Sequence, residues 1–273
     1  MAKARLVYIG SLRNAAADRA GQLIEFKGGL RYMASPLEYL AGALDGSALG
    51  DAYSLEAVIF DDDEGLAADR EKLKDYGFSY QPSRRWFFPP GLRAQGRLLL
   101  DLMRPVTSDY RRLPLGAPAR TAGKSGFEAR LLHTLVELQA DVVVLDGLLV
   151  ILDELVRPGA PFERRIVNIH PGITREGSPF QRRGAWATLD ALHGARGQRM
   201  DWRTMTATPV EPVRRTGASF HYVDTGIDSG EVIVDVLATD IDPADTILEL
   251  RWNNFQRSLF PALHQGLAAL APR

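Results

Sequence analysis

Asn168 and His170 stand two residues apart in the strand-like run that begins at Arg165, and Pro171 and Gly172 follow them. Alternate residues of an extended chain share a face, so the amide and the imidazole project together from one strand end. An amide N–H can donate to charge developing on a carbonyl oxygen, and an imidazole can carry a proton near neutral pH; together they suit acyl transfer. A second segment, Asp224-Thr225-Gly226-Ile227-Asp228-Ser229-Gly230, sets two carboxylates among glycines ahead of another apolar run. One of these could lie beside His170, raise its pKa and orient a water. Each group also has a plainer reading. A histidine after a strand is more often structural, and an aspartate among glycines more often caps a turn.

Such groups need elements that carry them to one place. Leu6–Ile9, Leu55–Phe60 and Val142–Leu145 are short β-branched apolar runs bounded by polar or turn residues, the pattern of buried parallel strands. Between them, Phe127–Gln139 places Leu131, Leu132, Leu135, Val136 and Leu138 at helical spacing. Strands are also expected at Arg165–Ile169, Gly217–Val223 and Glu231–Val236, the last two as a hairpin-like pair closing one side of the sheet. Thr246–Leu267 reads as one helix despite Pro261. The order strand, helix, strand predicts an α/β fold with a doubly wound, mostly parallel sheet.

The 273 residues suit a single domain spanning 1–273. Six prolines spread from Gln81 to Gly126 mark a family-specific insertion, and Gly194–Arg215 is a shorter irregular stretch. The 33 Lys and Arg balance 34 Asp and Glu, so the net charge of -1 gives no general attraction to nucleic acid or to an anionic membrane. With no cysteine, thiol nucleophiles and Cys-ligated zinc are excluded. The five histidines lack metal-ligand spacing, so no metal is expected. The apolar run before Gly10 is too short for a signal peptide and no stretch has the length of a membrane span, so a cytoplasmic protein is expected.

Five pieces, in order, resemble the N10-formyltetrahydrofolate-dependent formyltransferases, which include glycinamide ribonucleotide transformylase and methionyl-tRNA formyltransferase. They are Asp141 to Gly147 (DVVVLDG), Asn168 to Pro171 (NIHP), Arg183-Gly184, Thr216-Gly217, and Gly226 to Ile233 (GIDSGEVI). They cover the second half of the chain. The resemblance implies a Rossmann-like fold, N10-formyltetrahydrofolate as formyl donor, and Asn168, His170 and Asp228 as the catalytic three. It also implies a pterin slot edged by Leu149, Val150, Ile151 and Leu152 on one side and Asp224, Thr225, Gly226 and Ile227 on the other.

The opening segment from Tyr8 to Asp18, with His170-Pro-Gly-Ile-Thr and the run from Arg182 to Asp190, looks most like the N5-hydroxyornithine formyltransferases of hydroxamate siderophore assembly, such as the pyoverdine pathway. That implies N5-hydroxyornithine as the acceptor, whose hydroxylamine nitrogen is largely unprotonated at neutral pH. Two departures from the wider family bear on the acceptor. The loop from His170 to Gly184 is longer than usual, and Gly10-Ser-Leu-Arg-Asn has no closely spaced glycines to wrap a phosphate. Methionyl-tRNA formyltransferase carries a separate tRNA-binding domain, whereas this chain ends soon after its last helix.

Arg13, Arg175, Arg182 and Arg183 could hold an acceptor carboxylate, and Glu176 an acceptor ammonium; for any one arginine, surface solvation is the alternative. His221 either faces the site or packs in the core, and His133, His193 and His264 are read as structural or exposed. Asp61-Asp62-Asp63-Glu64 resembles a cation site but reads better as a solvated loop. The alternatives in function are formyl transfer to another amine, such as an amino-sugar nucleotide or glycinamide ribonucleotide, and a non-catalytic folate-binding protein.

Overall fold

Side chains alternate along β1 (Ala4–Gly10) between two separate cores. Leu6 and Tyr8 join Leu37, Leu40, Leu263 and Leu267 on one face, and Val7 and Ile9 join Phe127, Leu131 and Leu135 on the other. A strand buried on both faces must be apolar at nearly every position, which is why β1 reads as a continuous run. The computed structural model describes residues 2–61 and 88–272.

The next strands are the hairpin β2 (Gln22–Phe26) and β3 (Gly29–Met33), then β4 (Tyr53–Phe60), the short hairpin β5 (Arg93–Ala94) and β6 (Arg97–Leu98), and β7 (Met103–Pro105). They are followed by β8 (Val142–Asp146), β9 (Ile166–His170), the hairpin β10 (Gln198–Asp201) and β11 (Thr206–Pro209), β12 (Arg215–Tyr222) and β13 (Val232–Asp240). The central sheet has seven strands in the order β13-β12-β9-β8-β1-β4-β7. β7, β4, β1, β8 and β9 run parallel, and β12 and β13 close one edge antiparallel. This is the doubly wound, mostly parallel sheet that the strand pattern predicts.

Several elements differ from the sequence reading. The helix expected from Phe127 begins at Pro118 and ends at Glu137, carrying Gly123 and Gly126 inside it. Burying Phe127, Leu131 and Leu135 is worth ~1.5–3 kcal/mol each, which outweighs the ~1 kcal/mol cost of each interior glycine. Gly123 is required there, since a Cβ would come within 2.5 Å of the Tyr110 side chain. Val136, placed on the apolar stripe by spacing, is 57% exposed. In the stretch 81–126 the described part is ordered: β5 and β6 pair, and β7 extends the central sheet along β4. Residues 81–87 lie outside the described residues. The second irregular stretch contains the β10–β11 hairpin. These strands are two to four residues long and largely exposed, so they carry no apolar alternation to read.

The helix expected over Thr246–Leu267 is Ile247–Asn254 and Phe260–Leu270 joined by a π-helical turn, Phe255–Leu259. Pro261 offers no N–H to the preceding turn and its ring crowds the carbonyl four residues back, so the helix widens there instead of continuing. Thr246 and Glu249 form a capping box at its start.

Candidate active site

From β1 the chain moves outward through β4 to β7, then returns to build β8 and β9 on the other side of β1. The connections leaving β1 and β8 therefore part, and in a parallel sheet the crevice beyond such a switch point is where ligands bind. A cavity of about 410 Å³ opens there. Its walls include Asn168, His170, His221 and Asp228.

Asn168 and His170 lie on one face of β9 as their spacing requires, and Asp228 reaches them from the loop between β12 and β13. Asn168 Nδ2 donates to Asp228 Oδ1 at 3.1 Å, and His170 Nδ1 is 3.3 Å from Asp228 Oδ2. The backbone N–H of Gly184 donates to Asp228 Oδ2 at 2.8 Å. Asp228 is left-handed, with φ 47°, a conformation that Asp and Asn tolerate better than most residues. Its loop is held by Asp224, whose Oδ1 accepts from the Gly226 N–H at 2.9 Å and the Ser229 hydroxyl at 2.7 Å. Both readings of the acidic segment are thus realised, Asp224 by capping the turn and Asp228 by facing the histidine.

His170 has an acceptor at each ring nitrogen: the Asp228 carboxylate at Nδ1 and the Arg182 carbonyl, 3.0 Å from Nε2. Burial lowers its pKa, against the raising effect of Asp228. For Asp228, burial acts upward, but hydrogen bonding with His221, the nearby His170 and the Gly184 N–H together hold the carboxyl well below the usual carboxylate range. His221, which the sequence left between core and site, belongs to the site. Its Nδ1 lies 2.8 Å from the Tyr222 carbonyl and its Nε2 3.3 Å from Asn168 Nδ2. The carbonyl calls for a hydrogen on Nδ1, while Nε2 faces both Asn168 Nδ2 and, at 3.6 Å, Asp228 Oδ1.

Of the other residues singled out by sequence, Leu149, Val150, Ile151, Asp224, Gly226 and Ile227 line the cavity. Leu152 does not: it is fully buried in the core beneath Leu155 and Phe162. Thr225 is exposed and outside the lining. Arg13, Arg175, Glu176 and Arg183 do not line the cavity either. Arg13 lies 3.7 Å from Asp61, Arg175 Nε donates to Asp235 at 2.5 Å, and the Arg183 guanidinium donates twice to the Thr174 carbonyl, at 3.0 and 2.8 Å. Each guanidinium has found an oxygen of the fold, and Glu176 is exposed. Asp61 is buried with Ser108 and Arg111, not solvated; Asp62, Asp63 and Glu64 lie outside the described residues. Among the described residues no group of three or more His, Asp or Glu is placed to hold a metal ion. None of their helices is long and apolar enough to cross a membrane.

A second polar cluster lines the cavity that sequence reasoning gave no role. Asp146 ends β8 and accepts from the Tyr8 hydroxyl; Asp18 pairs with Arg251 and accepts from Asn14 Nδ2 at 3.3 Å. Asp18 and Asp146 both lie within the family-like segments, but nothing in their local pattern says that they meet Arg251. Burial pushes the Asp146 carboxyl up to about 7. Gly147 follows it with φ 63°, and a Cβ there would lie 2.2 Å from the Asn14 amide. Gly147→Ala is therefore expected to cost about 1–3 kcal/mol, measured by urea unfolding, from left-handed strain plus displacement of Asn14.

Fold and site together define a class. The architecture is that of the Rossmann-like formyltransferases: the structure of phosphoribosylglycinamide formyltransferase from Streptococcus pneumoniae TIGR4 superposes with a TM-score of 0.52 at 21% identity, covering 98% of this chain and 99% of that one. Glycinamide ribonucleotide transformylase 1 from Symbiobacterium toebii gives 0.52 at 19%, covering 97% and 86%. No protein-family model matches the chain. The structure of PvdF of pyoverdin biosynthesis, described as a structurally unique N10-formyltetrahydrofolate-dependent formyltransferase, gives a TM-score of 0.92 at 65% identity over 99% of this chain and 100% of that one. The chain belongs to the N10-formyltetrahydrofolate-dependent formyltransferases, and it is an enzyme of one-carbon transfer from that folate.

Proposed function

We propose that this enzyme formylates the side-chain hydroxylamine nitrogen of N5-hydroxyornithine in hydroxamate siderophore assembly, with Asn168, His170 and Asp228 as its catalytic residues. The observation that carries the reading is their convergence, through Asp228 Oδ1 and Oδ2, at the wall of one cavity. The 65% identity to PvdF of pyoverdin biosynthesis supports the pathway.

The donor fits the opposite wall. Among the described residues, the backbone N–H and C=O groups of Leu149, Val150 and Ile151 form no hydrogen bond, so this edge can read the donors and acceptors of a pterin. Leu149 and Ile227, 59% and 62% exposed, offer apolar surface beside it. The folate, when bound, supplies the electrophilic formyl carbonyl.

The chain's own groups then do two things. Asn168 donates to the charge that develops on the formyl oxygen, exchanging for it the longer of its two contacts, the 3.3 Å one to His221. His170, kept neutral at rest by burial, takes up the proton lost by the attacking nitrogen and returns it to the folate N10 as the bond from N10 to the formyl carbon breaks, its two acceptor neighbours holding the imidazolium in between. Protonation of His170 beforehand removes this base. Activity is therefore expected to fall as pH drops, with the acid limb of kcat/KM below the ordinary histidine value of about 6.5. A pH–rate profile checks it, and an acid limb above that value would contradict the assignment.

The reading is tested by formyl transfer from N10-formyltetrahydrofolate, followed by folate absorbance, with N5-hydroxyornithine, ornithine and glycinamide ribonucleotide as competing acceptors. Preference for hydroxyornithine is expected. Faster turnover of the ribonucleotide would replace the acceptor, and folate binding without turnover of any amine would replace the reaction.

A further inference from the structure

The catalytic wall and the apolar donor wall leave one end of the cavity unassigned, and that end is polar. It holds Asp146, Asp18, Arg251 and Asn14. Asp18 and Arg251 neutralise each other. Asp146 is different: its hydroxyl donor is Tyr8, and among the described residues no Lys or Arg forms an ion pair with it. A half-buried carboxylate whose nearest cation, Arg251, is already paired to Asp18 is costly to ionise unless something positively charged arrives.

We propose that this end is the recognition site for the head of an amino-acid acceptor, its α-ammonium taken by Asp146 beside Asp18 and its α-carboxylate by Arg251 with the Asn14 amide. This inference rests on the amino-acid acceptor proposed above and names the residues that select it.

Three observations support it. The first is charge: the cluster presents both signs, as an α-amino acid does. A phosphorylated acceptor would bring its dianion against Asp146, which no ion pair among the described residues neutralises, and a carboxylate repels a unit charge at 4 Å by ~4 kcal/mol near a protein surface. The second is reach. Asp146 pairs with Ile169, so its side chain leaves the sheet on the face opposite Asn168 and His170, but all three sit at the same strand ends and line the one cavity that opens beyond them. An acceptor held at the polar end would extend its side chain through that cavity, over the strand ends, to bring its terminal nitrogen to the catalytic residues. The third is protonation. The Asp146 carboxyl, pushed up to about 7 by burial, is partly protonated at neutral pH, and an ammonium beside it would drive the proton off. Acceptor binding should release a proton near pH 7 and tighten as pH rises through that value.

The test needs no turnover. Calorimetry on the folate-free protein would compare ornithine with putrescine, which lacks the carboxylate, and with 5-aminopentanoate, which lacks the α-ammonium. Ornithine is expected to bind at least about thirty-fold more tightly than either, the scale of removing one partner of a buried charged pair. In Arg251→Gln the preference over putrescine should vanish, and in Asp146→Asn the preference over 5-aminopentanoate. Circular dichroism shows whether each variant is folded, and the ligand series on the wild-type protein stands without them. Equal affinities for the three ligands, or no binding of ornithine at millimolar concentration, would overturn the proposal. Formyl transfer to hydroxyornithine is measured separately. Turnover without discrimination at the head sinks this inference alone, and discrimination without turnover sinks the proposed reaction alone.

Discussion

Asp228→Asn is expected to lower kcat by about 10³–10⁴-fold while leaving the fold intact. The amide keeps the shape of the carboxylate, one oxygen for the Gly184 N–H, and the tolerance for a left-handed backbone that φ 47° demands. What it loses is the negative charge 3.3 Å from His170 Nδ1. Without it the imidazolium formed during transfer has only neutral oxygens to hold it, and with the amide oxygen kept for Gly184 the NH2 replaces the oxygen that accepts from Asn168. Residual activity should show its acid limb at lower pH than the wild type, because the carboxylate that raises the His170 pKa is gone. Folate absorbance gives the rate, and thermal unfolding with circular dichroism gives the fold. Wild-type turnover in this variant would end the assignment.

Asp146→Asn is expected to do the opposite to stability, making the protein more stable at pH 8 by about 2–4 kcal/mol. In the unfolded chain an aspartate titrates near 3.9, whereas in the fold Asp146 holds its proton to about 7. Between those values the folded state binds more protons than the unfolded one, so stability declines as pH rises through the window and stays low above it. An amide has no proton to lose, and Tyr8 still has an oxygen to donate to. The variant and the wild type should therefore unfold alike near pH 3 and diverge steadily up to about pH 7, in urea titrations at matched pH. The gain should come with weaker acceptor binding, as expected where a destabilising charge is kept for function. Equal stability of the two proteins at pH 8 would remove the buried charge from this account.

The outcomes for single residues show what kind of information sequence carries. β1, β4, β8 and β9 were legible because burial on both faces leaves apolar runs that local composition reveals. β7 and the β10–β11 hairpin were not, since short exposed strands are specified by the partner they meet. The helix from Pro118 was hidden by two glycines that only Tyr110 and the core at Phe127, Leu131 and Leu135 explain. At the site, motifs in order were enough to single out Asn168, His170 and Asp228, and the period of two was enough to put the first two on one face.

By itself, then, the sequence determined the doubly wound class, the family, and the residues proposed for catalysis, because strand periodicity and short motifs are local properties. Only tertiary structure decided that His221 completes that wall, that Arg13, Arg175 and Arg183 turn to oxygens of the fold, and that Asp18, Asp146 and Arg251 share one end of the cavity. A charged side chain is satisfied by whichever partner folding brings near, and for Asp18 that partner lies more than two hundred residues away.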